Sequence, residues 1–239
     1  MSNAPAAAGP LIRAEHMSRV LEGDVPVTLV NDVSLQIEPG EFVCVMGPSG
    51  SGKSSLLYLL GLLDVPTDGR IWVDGQDTTE LDDDQLADFR LTRLGYVFQF
   101  HFLLQEFSAL DNVALPMRKL GKLPDDAAHA RAAELLDRFG MNGQHHKRPS
   151  QLSGGQRQRV AIARAMANDP LVILADEPTG NLDSVASTNV RDILRQLTRE
   201  TNRSVVAVTH DASFASVADR RIGIVDGRID MGWRPGASA

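Results

Sequence analysis

Short runs of hydrophobic residues alternate with stretches of helical character along this chain of 239 residues. Each run is too short for a buried helix and is apolar enough for a strand that is covered on both faces of a sheet. The runs are Phe42–Met46, Leu94–Phe98, Leu171–Glu177 and Val205–His210, the last two ending in polar residues. Strands that alternate with helices in this way predict an α/β fold with a parallel core sheet.

Two parts of the chain depart from this alternation. In the N-terminal part, Leu11–Met17, Val33–Glu38 and Arg70–Gly75 predict further strands, and the Asp-Gly pair that closes the third marks a turn. Roughly from residue 106 to residue 149 a helical insertion is predicted, because Ala, Leu and charged residues recur at helical spacing over Asp125–Phe139.

Composition and charge argue against several classes of function. The net charge of −7 disfavours a nucleic-acid surface, and no stretch approaches the roughly 18 consecutive apolar residues of a membrane span. The first ten residues lack a basic start and a long apolar stretch, so they predict a flexible tail and not a signal peptide. The one cysteine, Cys44, falls on a predicted core strand and indicates a reducing, intracellular setting. We interpret the acidic runs Asp82–Asp84 and Asp125–Asp126 as solvated loop or helix-start residues, not as a metal site.

A phosphate-binding loop follows the first core strand. Residues 47–54 have four residues between the first Gly and a Gly-Lys-Ser, and Lys53–Leu63 after them predicts a helix. Glycines let the backbone wrap phosphates without a Cβ clash, and amides at the helix start face the anion. Lys53 is expected to reach the β- and γ-phosphates, and the Ser54 hydroxyl to ligate Mg²⁺. The predicted nucleotide-binding residues of this loop are Gly47, Pro48, Ser49, Gly50, Ser51, Gly52, Lys53, Ser54 and Ser55.

A pair of acids ends the strand predicted at Leu171–Glu177. Open α/β sheets bind ligands at the carboxyl edge of their strands, which is where Asp176 and Glu177 are predicted to lie. Asp176 is expected to hold Mg²⁺ through water, and Glu177 to orient and polarise the attacking water. The alternative is a strand end with two solvated acids, and the phosphate loop upstream argues against it.

A glycine-containing pentapeptide, Leu152-Ser153-Gly154-Gly155-Gln156, lies between these two motifs and precedes a helix predicted through Arg157–Ala163. Bare glycine amides at the start of a helix form a second anion site. The alternative is a flexible glycine turn. This segment adds to the predicted nucleotide-binding residues Ser153, Gly154, Gly155 and Gln156.

These motifs, in this order and roughly from Leu11 to Asp230, resemble the nucleotide-binding subunit of ABC transporters. The resemblance implies the fold of an ABC-type P-loop NTPase, with a parallel core sheet, an N-terminal antiparallel β subdomain and an inserted α-helical subdomain. Gln99 matches the family's glutamine loop, which contacts Mg²⁺ and moves with the membrane partner. Asn181–Asp183 matches a loop that crosses the dimer interface, and His210 matches the switch histidine that touches the γ-phosphate.

The resemblance also implies a homodimer that forms on ATP binding. In the family, each ATP lies between the phosphate loop of one protomer and the LSGGQ residues of the other, and hydrolysis removes the bridging γ-phosphate. The implied cofactors are ATP and Mg²⁺. The implied catalytic residues are Glu177, His210 and Gln99, and the implied metal ligands are Ser54, Gln99 and Asp176.

On this basis we expect one ABC ATPase domain with two subdomains. Residues 1–10 form the tail, residues 99–149 hold the glutamine loop and the helical subdomain, and residues 11–98 and 150–239 form the core and the β subdomain. Ile222–Ile229 surrounds a second Asp-Gly pair and predicts a hairpin at the end of the core.

Two segments resemble a particular branch of the family. Gln99–Leu104 and Phe107–Pro116 are similar to the ATPase of the bacterial lipoprotein-releasing system. Glu177–Asp183 is similar to the wider group that contains it, the macrolide and peptide exporters and the cell-division ATPase. The lipoprotein branch usually has His-His-Leu-Leu-Pro where residues 101–105 here are His-Phe-Leu-Leu-Gln, so the sequence leaves the substrate open.

The resemblance implies partners in a membrane. We expect an ATPase on the cytoplasmic side of the inner membrane, peripherally bound to two integral membrane subunits, that powers lipoprotein release. A macrolide or peptide exporter, or a cell-division complex, is the alternative. The docking surface is expected over Gln99–Pro116, which contains Phe100, Phe102 and Phe107. Ordinary core packing is the other interpretation of these aromatic residues.

One position departs from the family pattern for adenine. The family usually stacks the base on an aromatic residue upstream of the phosphate loop, and the aligned residue here is Val20. We therefore expect apolar packing on the base, weaker base selectivity and comparable binding of ATP and GTP.

Two other classes share these motifs. Chromosome-maintenance and DNA-repair ATPases insert long coiled coils or zinc-binding cysteines between the phosphate loop and LSGGQ. Sustained heptads are absent here and the chain has one cysteine. Soluble regulatory or translation ATPases typically carry two such domains per chain, whereas this sequence has a single set of motifs.

Overall fold

The computed structural model describes residues 9–233 of the chain. This part contains ten strands and seven α-helices. The predicted tail, up to residue 8, lies outside that part. The strands are β1 (Ile12–Leu21), β2 (Val27–Ile37), β3 (Phe42–Met46), β4 (Asp68–Val73), β5 (Gln76–Asp77), β6 (Leu94–Phe98), β7 (Val172–Asp176), β8 (Ser204–Val208), β9 (Arg220–Val225) and β10 (Arg228–Ile229). The helices are α1 (Lys53–Leu60), α2 (Asp83–Arg93), α3 (Ala109–Leu120), α4 (Asp125–Arg138), α5 (Gly154–Ala165), α6 (Ser184–Thr201) and α7 (Ala212–Ala215).

The core of the molecule is a six-stranded sheet in the order β10-β9-β3-β8-β7-β6. Its strands are parallel, except that β10 turns back antiparallel on β9 to close the predicted hairpin. The register places Phe98 beside Asp176 and Asp176 beside Val208. The prediction of a parallel core sheet is therefore confirmed, and the carboxyl ends of β6, β7 and β8 form one edge.

Strand β3 shows why the core strands have continuous hydrophobic runs. All five of its side chains are buried. Phe42, Cys44 and Met46 pack into a cluster with the helical part of the chain. Val43 and Val45 point to the opposite face, into a cluster that contains the leucines of α1. Because both faces are covered, each position gains from burial of an apolar side chain.

The N-terminal sheet is antiparallel, in the order β2-β1-β4-β5. The hairpin of β1 and β2 extends further than predicted, to a pair formed by Leu21 and Val27. A turn at Asp74 and Gly75, both with positive φ, joins β4 to β5, as the Asp-Gly pair indicated.

The predicted helical insertion lies between β6 and α5 and consists chiefly of α3 and α4. Ser108 caps the start of α3, and Gly121 ends it in a left-handed conformation with φ of 69°. Helix α2 begins with a reciprocal cap between Asp82 and Gln85, so its acidic residues stand at a helix start as interpreted. None of the helices within residues 9–233 is long and apolar enough to cross a membrane.

Helix α1 is shorter than predicted. It ends at Leu60 and not at Leu63, and Gly61 follows it as the C-terminal cap. Leu62 then takes a left-handed backbone conformation with φ of 57°, which breaks the helical path. The apolar residues that suggested a longer helix are instead part of the turn that leads into β4.

Candidate nucleotide-binding and hydrolysis site

The phosphate loop wraps the carboxyl end of β3 and depends on glycine at two close approaches. A Cβ atom on Gly47 would lie 2.1 Å from the carbonyl oxygen of Ile224. One on Gly52, which has φ of 94°, would lie 2.2 Å from the carbonyl oxygen of Leu29. Side chains at either position would force the backbone apart, so the loop's tight path follows from its glycines.

The loop leaves the start of α1 without a side-chain cap, because its N-cap residue is Gly52. Capping side chains accept hydrogen bonds from backbone amides at the starts of α2, α3, α5, α6 and α7; they belong to Asp82, Ser108, Ser153, Asp183 and Asp211. The first amides of α1 therefore remain available to an external acceptor. An anion such as phosphate fits this position, because the positive end of the helix dipole faces it.

The Lys53 side chain is buried within the loop. Its Nζ donates to the carbonyl oxygens of Gly47 at 3.1 Å and Pro48 at 2.6 Å. Burial lowers the pKa of Lys53, while the nearby charges of Glu177 and Asp176 act in the opposite direction. The ammonium group attracts the negative charge of phosphate, whereas the two carboxylates repel it unless a cation lies between them and the phosphate.

Asp176, at the end of β7, is held by two hydroxyl groups of α1. Ser54 Oγ donates to Asp176 Oδ1 at 2.9 Å, and Tyr58 OH donates to Asp176 Oδ2 at 2.9 Å. Burial raises the pKa of Tyr58 to about 12, so its hydroxyl keeps the proton that it donates. Sequence reasoning missed Tyr58; its spacing of four residues from Ser54 on a helix was the available signal.

The next residue, Glu177, adopts an uncommon backbone conformation beside the histidine that was predicted as a switch. Its φ is 43°, and its amide donates to the carbonyl oxygen of Val208 at 3.0 Å. His210 Nδ1 lies 2.9 Å from Glu177 Oε1, and the His210 ring is largely exposed while the Glu177 carboxyl group is mostly covered. The strands β7 and β8 thus bring two predicted catalytic residues into direct contact.

Gln99 follows the end of β6 and has a different partner. Its Nε2 donates to Asn181 Oδ1 at 3.2 Å, and the side chain packs closely over Gly180. The structure therefore places Gln99 against the predicted dimer-interface loop and not in the hydrogen-bonded group of Ser54 and Asp176. Phe98, the preceding residue, is the register partner of Asp176, so Gln99 still stands at the same sheet edge.

The LSGGQ residues form the start of α5 and close on themselves. Ser153 and Gln156 make a reciprocal cap, in which each side chain accepts the other residue's amide hydrogen. Gly155 packs so closely on Ala186 that an added Cβ would lie 2.8 Å from the Ala186 Cβ. Within residues 9–233, no hydrogen bond links residues 153–156 to residues 47–55. One chain thus presents two separate helix starts.

Val20 lies near the phosphate loop but on the other sheet. It pairs with Thr28 in the β1–β2 hairpin, and its amide donates to Thr67 Oγ1 at 3.0 Å. The next residue of β2, Leu29, is the one whose carbonyl oxygen closely approaches Gly52. The position expected to meet adenine therefore stands beside the strand that contacts the loop.

The site can accept Mg²⁺ as part of a nucleotide complex. Ser54 uses its hydrogen in the bond to Asp176 and keeps lone pairs on Oγ, and a carboxylate oxygen lies beside it. Hard cations such as Mg²⁺ prefer oxygen ligands and are held by one or two protein groups together with phosphates and waters. Within residues 9–233 no cluster of three or more His, Cys, Asp or Glu could bind a metal by itself. The residues fit an ion that arrives with the nucleotide.

A glycine-rich loop between a parallel strand and a helix, next to Asp176, defines a P-loop nucleotide-binding protein. Comparison with known proteins narrows this class. The family model of the ABC transporter matches residues 30–180. The chain therefore belongs to the ABC transporter family, and its fold is the ABC type of P-loop fold, as the resemblance implied.

Known relatives cover nearly the whole chain. The lipoprotein-releasing system ATP-binding protein LolD 1 of Chlorobium chlorochromatii is 46% identical over 92% of this chain and 90% of its own length. The lipoprotein-releasing system ATP-binding protein LolD of Aquifex aeolicus is 43% identical over 92% of this chain and 96% of its own length.

Solved structures support the same classification. The dimeric structure of MJ0796, a bacterial ABC transporter cassette, is 41% identical with a TM-score of 0.85, over 92% of this chain and 96% of that one. A dimeric post-hydrolysis state of the same cassette, bound to ADP and Pi, is 38% identical with a TM-score of 0.86, over 95% of this chain and 100% of that one.

Proposed function

We propose that this chain is an ATPase whose two copies close on two MgATP molecules and thereby drive separate membrane subunits. The observation that supports this most directly is the sheet edge of Asp176, Glu177 and His210, to which Ser54 of α1 is hydrogen-bonded beside the phosphate loop. This edge combines a phosphate site, an oxygen pair for a metal and a carboxylate for water. The chemistry of the site is therefore hydrolysis of a phosphoanhydride bond.

Each side chain has a distinct role in that reaction. Lys53 and the first amides of α1 bind the phosphates, since they offer hydrogen-bond donors to an anion. Ser54 and Asp176 would hold Mg²⁺, which would neutralise charge on the phosphate oxygens. Glu177 accepts a hydrogen bond from the attacking water and orients it, and His210 holds Glu177 in position. Gln99 is hydrogen-bonded to Asn181 and thereby couples changes at this sheet edge to the protein surface.

The dimer follows from the two separate helix starts. The start of α1 has no side-chain cap, the start of α5 has two glycines within its Ser153–Gln156 cap, and within one chain the two starts are not joined. A twofold dimer in which each nucleotide lies between the phosphate loop of one copy and residues 153–156 of the other would use both. The dimeric cassettes that this fold resembles support that arrangement.

The membrane partner is proposed to dock beside the glutamine loop. Phe100 and Phe102 each expose 65% of their surface, and Phe107 exposes 39%. Exposed aromatic residues of this size mark partner surfaces. Close by, an apolar cleft lies between α2, β6 and α3; it is lined in part by Leu91, Tyr96 and Pro116. We place two integral membrane subunits on this face, with the chain bound peripherally on the cytoplasmic side.

The relatives named above suggest which process ATP hydrolysis drives. Their names describe ATP-binding proteins of a lipoprotein-releasing system, and they match over almost the whole of this chain. We propose that ATP hydrolysis here powers release of lipoproteins from the inner membrane.

The test is to block hydrolysis and measure assembly. Glu177→Gln with MgATP is expected to form a dimer in light scattering after size exclusion, and ADP is expected to return it to monomer. Adding Ser153→Arg, at an exposed position on the start of α5, is expected to prevent that dimer. A Glu177→Gln chain that stays monomeric with MgATP, alone and with its membrane subunits, would contradict the proposal. Membrane proteins that co-purify with the native chain then identify its partners.

A further inference from the structure

The carboxyl group of Asp176 is fixed at both of its oxygens by one helix. Ser54 and Tyr58 are four residues apart on α1, so their side chains lie on the same face. Their hydroxyl groups each donate at 2.9 Å, one to Oδ1 and the other to Oδ2. These are the hydrogen bonds of the Asp176 side chain within residues 9–233. The plane of the carboxyl group is thus set by two points of contact.

The two contacts have different consequences for a metal ion. The Ser54 oxygen and Asp176 Oδ1 lie side by side, so these two oxygens would hold Mg²⁺ when a nucleotide brings it. Tyr58 occupies Oδ2 and is held in place, since its ring is partly buried against a hydrophobic cluster that includes α1. The two oxygens of a carboxylate are equivalent, so a half-turn restores both contacts, but a smaller rotation about the Cβ–Cγ bond would break the bond to Tyr58. The phenol therefore holds the plane of the carboxyl group in the orientation that places one oxygen beside Ser54.

We propose that Tyr58 is a positioning residue for magnesium, acting through Asp176, and this inference rests on the proposed function. Hydrogen-bond partners of metal-binding carboxylates commonly contribute ten- to a hundred-fold to metal affinity or activity. Removal of the Tyr58 hydroxyl is therefore expected to weaken the response to Mg²⁺ by about tenfold or more. Binding of the nucleotide without metal should change much less, because within residues 9–233 the Tyr58 hydroxyl is bonded to Asp176 and not to the phosphate loop.

The chain offers a matched control in its other tyrosine, Tyr96. Like Tyr58, Tyr96 is partly buried against the same hydrophobic cluster. Its hydroxyl donates to the carbonyl oxygen of Gly61, at the end of α1, and makes no hydrogen bond to Asp176 within the described residues. Tyr96→Phe thus removes a covered hydroxyl from the same region and leaves the carboxyl group of Asp176 untouched.

The experiment compares Tyr58→Phe and Tyr96→Phe in the Glu177→Gln background, in which hydrolysis does not interfere. ATP binding is titrated by calorimetry in EDTA and at a series of free Mg²⁺ concentrations. For Tyr58→Phe, the Mg²⁺ concentration that gives half of the metal-dependent gain in ATP affinity is expected to rise about tenfold or more. The affinity in EDTA is expected to stay within about twofold, and Tyr96→Phe is expected to match its parent in both measurements. Tyr58→His, which keeps a ring N–H donor, is expected to recover part of the loss.

Each other outcome is decisive. An unchanged Mg²⁺ dependence in Tyr58→Phe, or an equal loss in Tyr96→Phe, overturns the positioning role. A Tyr58→Phe chain that does not fold shows that the hydroxyl is structural, which also overturns it. If the Glu177→Gln parent itself gains no ATP affinity from Mg²⁺, the proposed function fails and not this inference alone.

Discussion

His210 Nδ1 lies 2.9 Å from Glu177 Oε1, across the carboxyl ends of two neighbouring parallel strands. The register of β7 and β8 creates this contact, because Asp176 pairs with Val208 and each functional residue follows its strand by one or two positions. Glu177 has φ of 43°, an uncommon conformation for a residue other than glycine. Residues in such conformations cluster at functional sites, where the surrounding structure holds them in place.

His210→Ala removes the side chain that holds Glu177. Without it, the carboxyl group loses its orientation toward water, and turnover is expected to fall by about a hundredfold, the lower range for a positioned general base. Affinity for ATP is expected to change much less, since Lys53 and the loop amides are unaffected. Steady-state phosphate release and equilibrium ATP binding separate the two effects.

His145→Ala is the control for this comparison. His145 Nε2 lies 2.7 Å from Asp137 Oδ1, so it is also a histidine paired with a carboxylate, but on the helical part of the chain. Turnover in this variant is expected to stay near that of the parent. Equal losses in the two variants would show that the Glu177 contact has no special part in hydrolysis.

Lys53→Ala tests the phosphate loop. Hydrogen bonds to charged groups contribute about 1.5–3 kcal/mol, which corresponds to roughly a ten- to a hundred-fold loss of ATP affinity. Calorimetric titration with MgATP checks this value. Lys119→Ala, at an exposed lysine near the end of α3, is expected to bind like the parent. Normal affinity in Lys53→Ala would mean that the amine stays folded on Gly47 and Pro48 when nucleotide binds.

The sequence predicted the backbone of this site better than its side-chain contacts. The phosphate loop and the acids at the end of β7 were predictable because glycine spacing and hydrophobic runs fix local structure. The Tyr58–Asp176 bond joins residues 118 positions apart, and the Gln99–Asn181 bond joins residues 82 apart. Such contacts depend on strand register and helix rotation, which no local pattern encodes.

The same reasoning explains the errors in element boundaries. Leu62 and Leu63 are apolar and favour a helix, yet the chain turns at Gly61 and Leu62 because it must enter β4. The β1–β2 hairpin extends past the predicted ends since its outer pairs include exposed Val27 and Leu21, whose side chains gave no pattern of burial. Tertiary connections decided both cases.

Val20→Tyr tests the predicted loss of base stacking. Stacking of a base on an aromatic side chain contributes about 1–3 kcal/mol, so ATP affinity is expected to rise at least about fivefold. In the parent, ATP and GTP are expected to bind comparably. Val25→Tyr is the control, because Val25 is 79% exposed in the loop of the same hairpin. A strong preference of the parent for ATP, or no gain in Val20→Tyr, would contradict a base contact at this position.

His101→Gln is expected to change the pH dependence of stability. Burial lowers the pKa of His101, and the nearby charge of Arg157 lowers it further. In the unfolded chain this histidine takes up a proton near its ordinary pKa of 6.5, whereas in the folded chain it stays neutral at that pH. The free energy of unfolding therefore falls as pH drops below 6.5. Urea unfolding measured from pH 7.5 to pH 5 is expected to show a smaller loss of stability in His101→Gln than in the parent.

His16 is the control, because its pKa is shifted in the opposite direction from that of His101. Its hydrogen bond to Asp32 raises the pKa of His16, so its contribution is present below the ordinary value of 6.5 and is lost as pH rises through its folded pKa. His16→Gln is therefore expected to steepen the loss of stability toward acid, in contrast to His101→Gln. Changes of the same sign in both variants would contradict this assignment.

Arg164 connects the LSGGQ helix to the proposed docking segment. From α5 it donates to the carbonyl oxygens of His101 at 2.8 Å and Phe102 at 2.7 Å. Phe102 is held there with φ of 47° while its ring is exposed. Because Arg164 makes both bonds from one planar group, Arg164→Lys cannot reproduce them. We expect Arg164→Ala to speed amide hydrogen exchange over residues 100–104 and to remove most stimulation of ATPase activity by membrane subunits.

The basal ATPase activity of Arg164→Ala is expected to stay within about threefold of the parent, which corresponds to about 0.65 kcal/mol of activation free energy, since Glu177 and His210 follow β7 and β8 and are bonded to each other and not to Arg164 on α5. Arg159→Ala is the matched control, because Arg159 lies on the same helix and donates to the Gly140 carbonyl oxygen at 3.2 Å. It should leave hydrogen exchange over residues 100–104 and the stimulated activity unchanged. If stimulation survives in Arg164→Ala, coupling does not pass through the His101 and Phe102 carbonyl groups, and the docking surface must be sought elsewhere on the chain.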